Sequence, residues 1–176
     1  MASTVQDFKE YIREIADFPK PGIIFRDITP LLANGEAFHA VVDRLAQPYR
    51  GRVDKVLGIE SRGFIIGAAV AYALGAGLAV VRKPGKLPAL TFAAQYALEY
   101  GNDTLEIHRD AFGQPCRVLI VDDLLATGGT ARAAVELVSR LGGQIVACTF
   151  VIELATLKGR ERLHPHPVSS LIQYVD

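Results

Sequence analysis

From residue 54 onward the apolar residues come in short unbroken runs, VDKVLGIE, LAVVRK, RVLIVDD and QIVACTFVIEL, rather than in alternation. Runs of this length suit strands covered on both faces. Between them SRGFIIGAAVAYALG and TARAAVELVSRLG carry apolar residues at helical spacing. The order predicts an α/β fold with a largely parallel central sheet flanked by helices, in which ligands sit at the carboxyl ends of strands. Upstream, Val5, Phe8, Ile12 and Ile15 lie close to helical spacing, which predicts a helix over 5–16 capped by Ser3 or Thr4 and ended by Pro19 and Pro21. The segment DFPKPGIIFRDITPLL then reads as an ordered connector or small lobe. Phe38, Val41, Val42 and Leu45 mark a second helix over 36–47. Residues 84–101, PGKLPALTFAAQYALEYG, hold neither period throughout. A stretch of that length inside a compact domain predicts a lid or binding loop, with Phe92, Tyr96 and Tyr100 as its bulky exposed residues.

Residues 64–81, FIIGAAVAYALGAGLAVV, form 18 uncharged positions, long enough to imitate a membrane span. Gly75 and Gly77 divide them, and the alanine-rich composition favours a buried helix handing over to a buried strand. With 176 residues the chain is sized for one substantial core, expected as one domain over 1–176. Its 19 basic and 19 acidic residues cancel, which removes a general pull toward nucleic acid or an anionic membrane and leaves room for a local anion site. The opening MASTVQDFKEYIREI lacks a secretory pattern, and Cys116 and Cys148 lie in or beside apolar runs without metal-ligand spacing. Both observations predict a reduced, cytoplasmic setting.

Candidate chemistry gathers at three predicted strand ends: Glu60 and Ser61, then Arg82 and Lys83, then Asp122 and Asp123. Adjacent strand residues point to opposite faces, so both aspartates address one ligand only if the strand ends there. Ala126, Thr127, Gly128, Gly129 and Thr130 follow, leading directly into a helix. Glycines admit the close approach and positive φ that let amides converge on an anion, and the helix start adds free N–H groups. The chain lacks the Gly-Lys-Ser/Thr ending of a nucleoside-triphosphatase loop and the GxGxxG of a dinucleotide site. In GIESRGF, Arg62 is placed to grip a phosphate through its planar fork, or else to pair with Glu60 or Asp54. Arg82, Lys83 and Lys86 form a further cationic cluster. HRD at 108–110 and the alternating His164 and His166 lack the partners that kinase or metal chemistry needs.

VLIVDDLLATGGT resembles the phosphoribosyl-pyrophosphate signature of the type I phosphoribosyltransferases. Further blocks in the same order, FPKPGIIFRDITPLL, GIESRGF, VRKPGKLP, ALEYG, VIELATLKGRERL and SSLIQY, extend the resemblance over essentially the whole chain. It implies that family's fold, with a small hood from about residues 1–35 and a flexible active-site loop at 84–101. The implied reaction joins N9 of a purine, adenine in this branch of the family, to phosphoribosyl pyrophosphate with release of diphosphate. Another purine such as xanthine is the alternative substrate. A non-catalytic sensor of phosphoribosyl pyrophosphate is the alternative role.

By the same resemblance Asp122 and Asp123 hold the ribose hydroxyls, directly or through Mg²⁺ and its water, while 126–130 cradle the 5′-phosphate. Glu60, Ser61 and Arg62 embrace the diphosphate, after a cis peptide before the serine, with Lys83 and Lys86 adding charge. Phe25 and Leu124 sandwich the purine, and the backbone at Ile24 and Arg26 reads its edge. Glu99 assists proton transfer at the purine, and Tyr96 and Tyr100 close over it. The resemblance implies a homodimer. Ala93 and Ala94 depart from it, standing where bulkier or more polar residues are expected in the loop.

Overall fold

The computed structural model describes residues 7–98 and 101–175. Among them the main sheet has the order β4-β3-β7-β8-β9, with every pairing parallel. Its strands are β3 (Lys55–Ile59), β4 (Gly77–Val81), β7 (Arg117–Leu125), β8 (Gln144–Leu154) and β9 (Val168–Tyr174). Helices α2 (Gly35–Ala46), α3 (Arg62–Leu74) and α4 (Gly129–Arg140) cover it. The expected mostly parallel sheet flanked by helices is therefore present.

The apolar runs of β3, β7 and β8 split between two cores, as strand geometry demands. Leu57, Ile59, Val118, Ile120, Cys148 and Phe150 pack with α4, whereas Val56, Leu119, Val121, Ala147 and Val151 pack with α2 and α3. Cys116 and Cys148 are free thiols, and burial pushes Cys148 up to about 12. The imitation of a membrane span resolves into α3, closed by Gly75 at φ +63°, and strand β4. No helix among the described residues is long and apolar enough to cross a membrane.

Two expectations are corrected. The start of the chain is a 3-10 turn over Phe8–Tyr11 followed by strand β1 (Arg13–Ala16), which pairs antiparallel with β2 (Ile24–Asp27). Phe8 and Ile12 are buried as the helical spacing required, but the segment with Pro19, Pro21 and Gly22 turns the chain back, and the hairpin supplies backbone partners for residues 13–16. Ser3 and Thr4 lie outside the described residues. The connector also contains a short helix α1 (Thr29–Ala33), begun by Pro30 in its first turn.

The second correction concerns 84–101, whose described residues from Thr91 onward are strand. Strand β5 (Thr91–Leu98) pairs antiparallel with β6 (Gly101–His108), and Arg82 and Glu106 exchange backbone hydrogen bonds that fasten this hairpin to the end of β4. Ala94 and Tyr96 face inward and Phe92 is partly covered, so the hairpin's tyrosine and phenylalanine are packing residues rather than exposed ones. The small Ala94 is fully accommodated in the core that α4 shares with this hairpin.

Candidate functional site

Glycine-mediated contacts fix the site's scaffold. At Gly58, a Cβ would meet Gly63 O at 3.0 Å; at Gly67, it would meet Gly58 Cα at 3.2 Å. Without those carbons α3 settles directly on β3, and its first turn arrives beside β7: a Cβ on Gly63 would lie 2.6 Å from Asp122 Oδ1. The Glu60–Ser61 peptide that enters α3 is cis, as expected.

The strand end itself lies further on than the residues suggested. Asp122 and Asp123 stand inside β7, which continues through Leu124 to Leu125 because both leucines pack, Leu125 fully and Leu124 in part. The aspartates consequently divide between faces. Asp123 is buried and takes a hydrogen bond from Arg62 Nε, while its N–H donates to Asp122 Oδ1 at 2.9 Å. Enclosure by protein, then the adjacent Asp123 charge, raises Asp122 well above the usual carboxylate range. Arg62 thus pairs with Asp123, and Asp54 pairs instead with Arg117.

Beyond Leu125 lies 126–130, the segment expected to cradle a phosphate. Gly128 is the left-handed residue at φ +81° that begins α4, with no side chain capping the helix. The amides of the first turn are left facing outward, the arrangement that attracts an anion. Residues 122–131 line a cavity of about 330 Å³ together with Glu60, Ser61, Arg62, Lys83 and Tyr96. A residue the sequence reading missed supports the cradle from behind. Gly159 opens the 3-10 turn Gly159–Leu163, and a Cβ there would lie 2.2 Å from Ala126 O and 3.0 Å from Gly128 N. Its neighbour Arg160 pairs with the buried Glu153 near the end of β8 through Nε at 2.7 Å and Nη2 at 2.5 Å.

The cationic cluster is organised by a carboxylate. Glu60 Oε2 accepts from Lys83 N at 2.7 Å, and Oε1 accepts from Lys86 Nζ at 2.9 Å and Arg82 Nη2 at 3.2 Å. Burial would raise Glu60, but these donors outweigh it and hold the group at about 2. Glu60 therefore gathers cations at the cavity wall. Lys86 pairs with Glu60 and is not among the residues lining the cavity. Lys83 Nζ donates to Tyr96 OH at 2.9 Å and to Asp103.

Because Glu60's folded pKa is depressed, its stabilisation is complete above its ordinary value of 4.5 and is lost as pH falls through about 2. Glu60→Gln is accordingly expected to lower the melting temperature near neutral pH, with the gap to the parent protein closing between pH 4.5 and 2. Thermal melts by circular dichroism across that range would expose a constant gap if the interaction were not ionic.

Phe25, expected beside a purine, stands in a separate wall. Phe25 packs edge-on against Phe18 with ring centroids 5.2 Å apart, and the Arg62 guanidinium carbon lies 5.3 Å from the Phe25 ring centre. Arg62 thereby joins β2 to Asp123, although Ile24, Phe25 and Arg26 do not line the cavity that Leu124 does. The Arg26 side chain is buried, paired with Glu14 and 4.0 Å from the Tyr174 ring centre, which leaves the strand's backbone for any recognition there. Glu99 and Tyr100 lie outside the described residues.

The geometry has relatives. A family model described as the phosphoribosyl transferase domain matches residues 31–173. The adenine phosphoribosyltransferase of Chloroflexus aurantiacus is 58% identical over 172 residues, spanning 97% of this chain and 99% of that one. The crystal structure of the Thermoanaerobacter pseudethanolicus enzyme superposes with a TM-score of 0.93 at 50% identity, covering 97% and 100% of the two chains. That of the Saccharomyces cerevisiae enzyme, complexed with an imino-altritol bisphosphate and adenine, superposes with a TM-score of 0.89 at 41% identity, covering 95% and 97%. Fold, cradle and likeness along the whole length agree, and the chain belongs to the adenine phosphoribosyltransferases of the type I phosphoribosyltransferase family.

Proposed function

We infer that this protein transfers the 5-phosphoribosyl group from phosphoribosyl pyrophosphate to N9 of adenine, giving AMP and diphosphate. The observation that carries this reading is the cavity in which an uncapped helix start, the adjacent aspartates and a cationic wall converge. A phosphate at one end, a polyol between and a diphosphate at the other match those three features in order.

In this reading the amides and hydroxyls of 126–130 hold the 5′-phosphate, and Asp122 and Asp123 orient the ribose hydroxyls. Ser61, Arg62 and Lys83 face the diphosphate, while Glu60 steers Arg82 and Lys86 to reinforce the positive wall. The purine stacks between Phe25 and Leu124, with the backbone of Ile24 and Arg26 at its edge. The N9–C1′ bond forms as the bond from C1′ to the diphosphate oxygen breaks, inverting the anomeric carbon through an oxocarbenium-like state. The cations offset charge growing on the departing oxygen. The N9 proton passes to a base, a role assigned to Glu99 by resemblance, and Tyr96 and Tyr100 help exclude water that would hydrolyse the sugar.

Among the described residues no group of three or more His, Cys, Asp or Glu side chains forms a metal cage. A site with one or two carboxylates fits Mg²⁺ arriving on substrate oxygens with several waters retained, held by Asp122 and Asp123 through such water. When bound, the ion would neutralise diphosphate charge. The family also supports a homodimer, and the reading places it in the cytoplasm, with one catalytic unit over 1–176, an N-terminal hood over about 1–35 and an active-site loop at 84–101.

The test is a panel of bases. With phosphoribosyl pyrophosphate and Mg²⁺, adenine is expected to yield AMP, while hypoxanthine, guanine and xanthine yield no nucleotide. A xanthine product would move the base assignment. Tight phosphoribosyl-pyrophosphate binding without any nucleotide product would instead make the protein a sensor.

A further inference from the structure

Of the two cations that line the cavity, Arg62 is paired with Asp123, which also lines it, and Lys83 with a carboxylate that does not. The Lys83 ammonium donates to Asp103 and to Tyr96 OH, and Tyr96 OH donates to Asp103 Oδ2 at 3.1 Å. The three groups are held in register, because Tyr96 and Asp103 are cross-strand partners in the β5–β6 hairpin and Lys83 follows the bridge that fastens that hairpin to β4. Lys83 and Tyr96 line the cavity, whereas Asp103 does not. Asp103 therefore holds the ammonium from outside the space a substrate enters. Burial works against the charge on Lys83, yet these partners raise its pKa, so the lysine is a cation in either pairing.

We propose that Asp103 is a positioning residue that competes with diphosphate for Lys83, weakening the grip on the leaving group so that it departs after transfer. This rests on the reading that Lys83 faces the diphosphate. An anion entering the cavity gains the Lys83 charge only by sharing it with a carboxylate fixed on the hairpin. The side chains of Lys83 and Asp103 are 38% and 28% exposed, so the contest is between a part-solvated ion pair and a multiply charged anion. Exposed pairs are weak enough for the ligand to win and strong enough to be felt.

The experiment measures diphosphate affinity in the presence of Mg²⁺ by calorimetry, and product inhibition by diphosphate, for the parent protein, Asp103→Asn and Lys83→Met. Asparagine keeps the shape and an acceptor for Tyr96. Asp103→Asn is expected to bind diphosphate about two- to fivefold more tightly, the range set by losing one part-exposed ion pair. Its inhibition constant should fall equally, while the KM for adenine stays within twofold. Lys83→Met should weaken diphosphate and cancel the gain when combined with Asp103→Asn. Unchanged or weaker diphosphate binding by Asp103→Asn, with Lys83→Met still weakened, would overturn the competition. Unaltered binding by Lys83→Met would sink the assignment of Lys83 itself. Equal melting temperatures of Asp103→Asn and parent would exclude hairpin damage as the cause, and a melting loss would be resolved by Tyr96→Phe, which removes a hairpin contact yet leaves the Asp103 charge and should not tighten diphosphate.

Discussion

Gly128→Ala is expected to lower kcat/KM for phosphoribosyl pyrophosphate by about a hundredfold or more, chiefly through KM for that substrate. Gly128 has φ +81°, a conformation that costs an alanine about 1–2 kcal/mol. The steric cost comes on top. An added Cβ would meet Gly159 O at 2.4 Å, and its carbonyl carbon and Cα at 3.1 and 3.2 Å, so the obstacle is backbone. Gly159 cannot retreat freely, since Arg160 beside it is tied to the buried Glu153, which also accepts from Ser170 Oγ at 2.6 Å. The cradle must move instead, carrying the first amides of α4 away from a 5′-phosphate that defines the position of C1′. A shift of about 1 Å at a positioning group costs roughly a hundredfold in rate. Gly51→Ala provides the control: it has φ +70° with nothing within 4 Å of an added Cβ, so it bears the conformational cost alone and should keep full activity. Steady-state kinetics with varied phosphoribosyl pyrophosphate, beside melts of both variants, decide the matter. A normal KM in Gly128→Ala would remove the cradle from 126–130.

No local pattern announces the contact between Gly128 and Gly159. Gly128 is legible because a double glycine before an amphipathic helix has few other uses. Gly159 is a lone glycine after LK, and its importance arises only when a remote backbone closes on Ala126 O. The parallel strands were legible for a different reason: Val, Ile and Leu on both faces leave continuous apolar runs. Strand β5 has the period of a strand, but two of its first four residues are alanines, one on each face, so TFAAQYAL hides the alternation. The pattern 5, 8, 12, 15 fails in the opposite way. Its buried members Phe8 and Ile12 sit in the 3-10 turn and at its end, where the spacing of a helix costs nothing to satisfy. The strand end expected at Asp123 lies two residues further on, because whether a strand ends at DD is decided by where Leu124 and Leu125 pack. That Glu60 gathers Arg82, Lys83 and Lys86 was not legible, because it requires knowing that β3 and β4 end side by side.

Arg62→Ala is expected to reduce kcat/KM by two to three orders of magnitude, because three contacts made by one side chain disappear together. Its Nε holds the buried Asp123, its guanidinium lies over Phe25, and it lines the cavity where leaving-group charge develops. Loss of one positioned donor to developing charge costs about 10²–10³ in rate. Stability should fall as well, though less than the 3–5 kcal/mol typical of a broken buried pair, because the Arg62 side chain is 41% exposed; about 1–2 kcal/mol is the discounted expectation. Arg62→Lys restores charge without the planar fork or the stacking surface, so it should recover stability more fully than turnover. The contributions separate in a cycle with Asp123→Asn. If Arg62 acted only by holding Asp123, the double variant would be no slower than Asp123→Asn alone. A role at the diphosphate and at Phe25 predicts a further loss of at least tenfold, accompanied by a higher KM for adenine, since the wall that carries Phe25 loses its only cation among the described contacts to that ring. Activity of Arg62→Ala within threefold of the parent would detach this arginine from the chemistry and leave it a tether between α3 and β7.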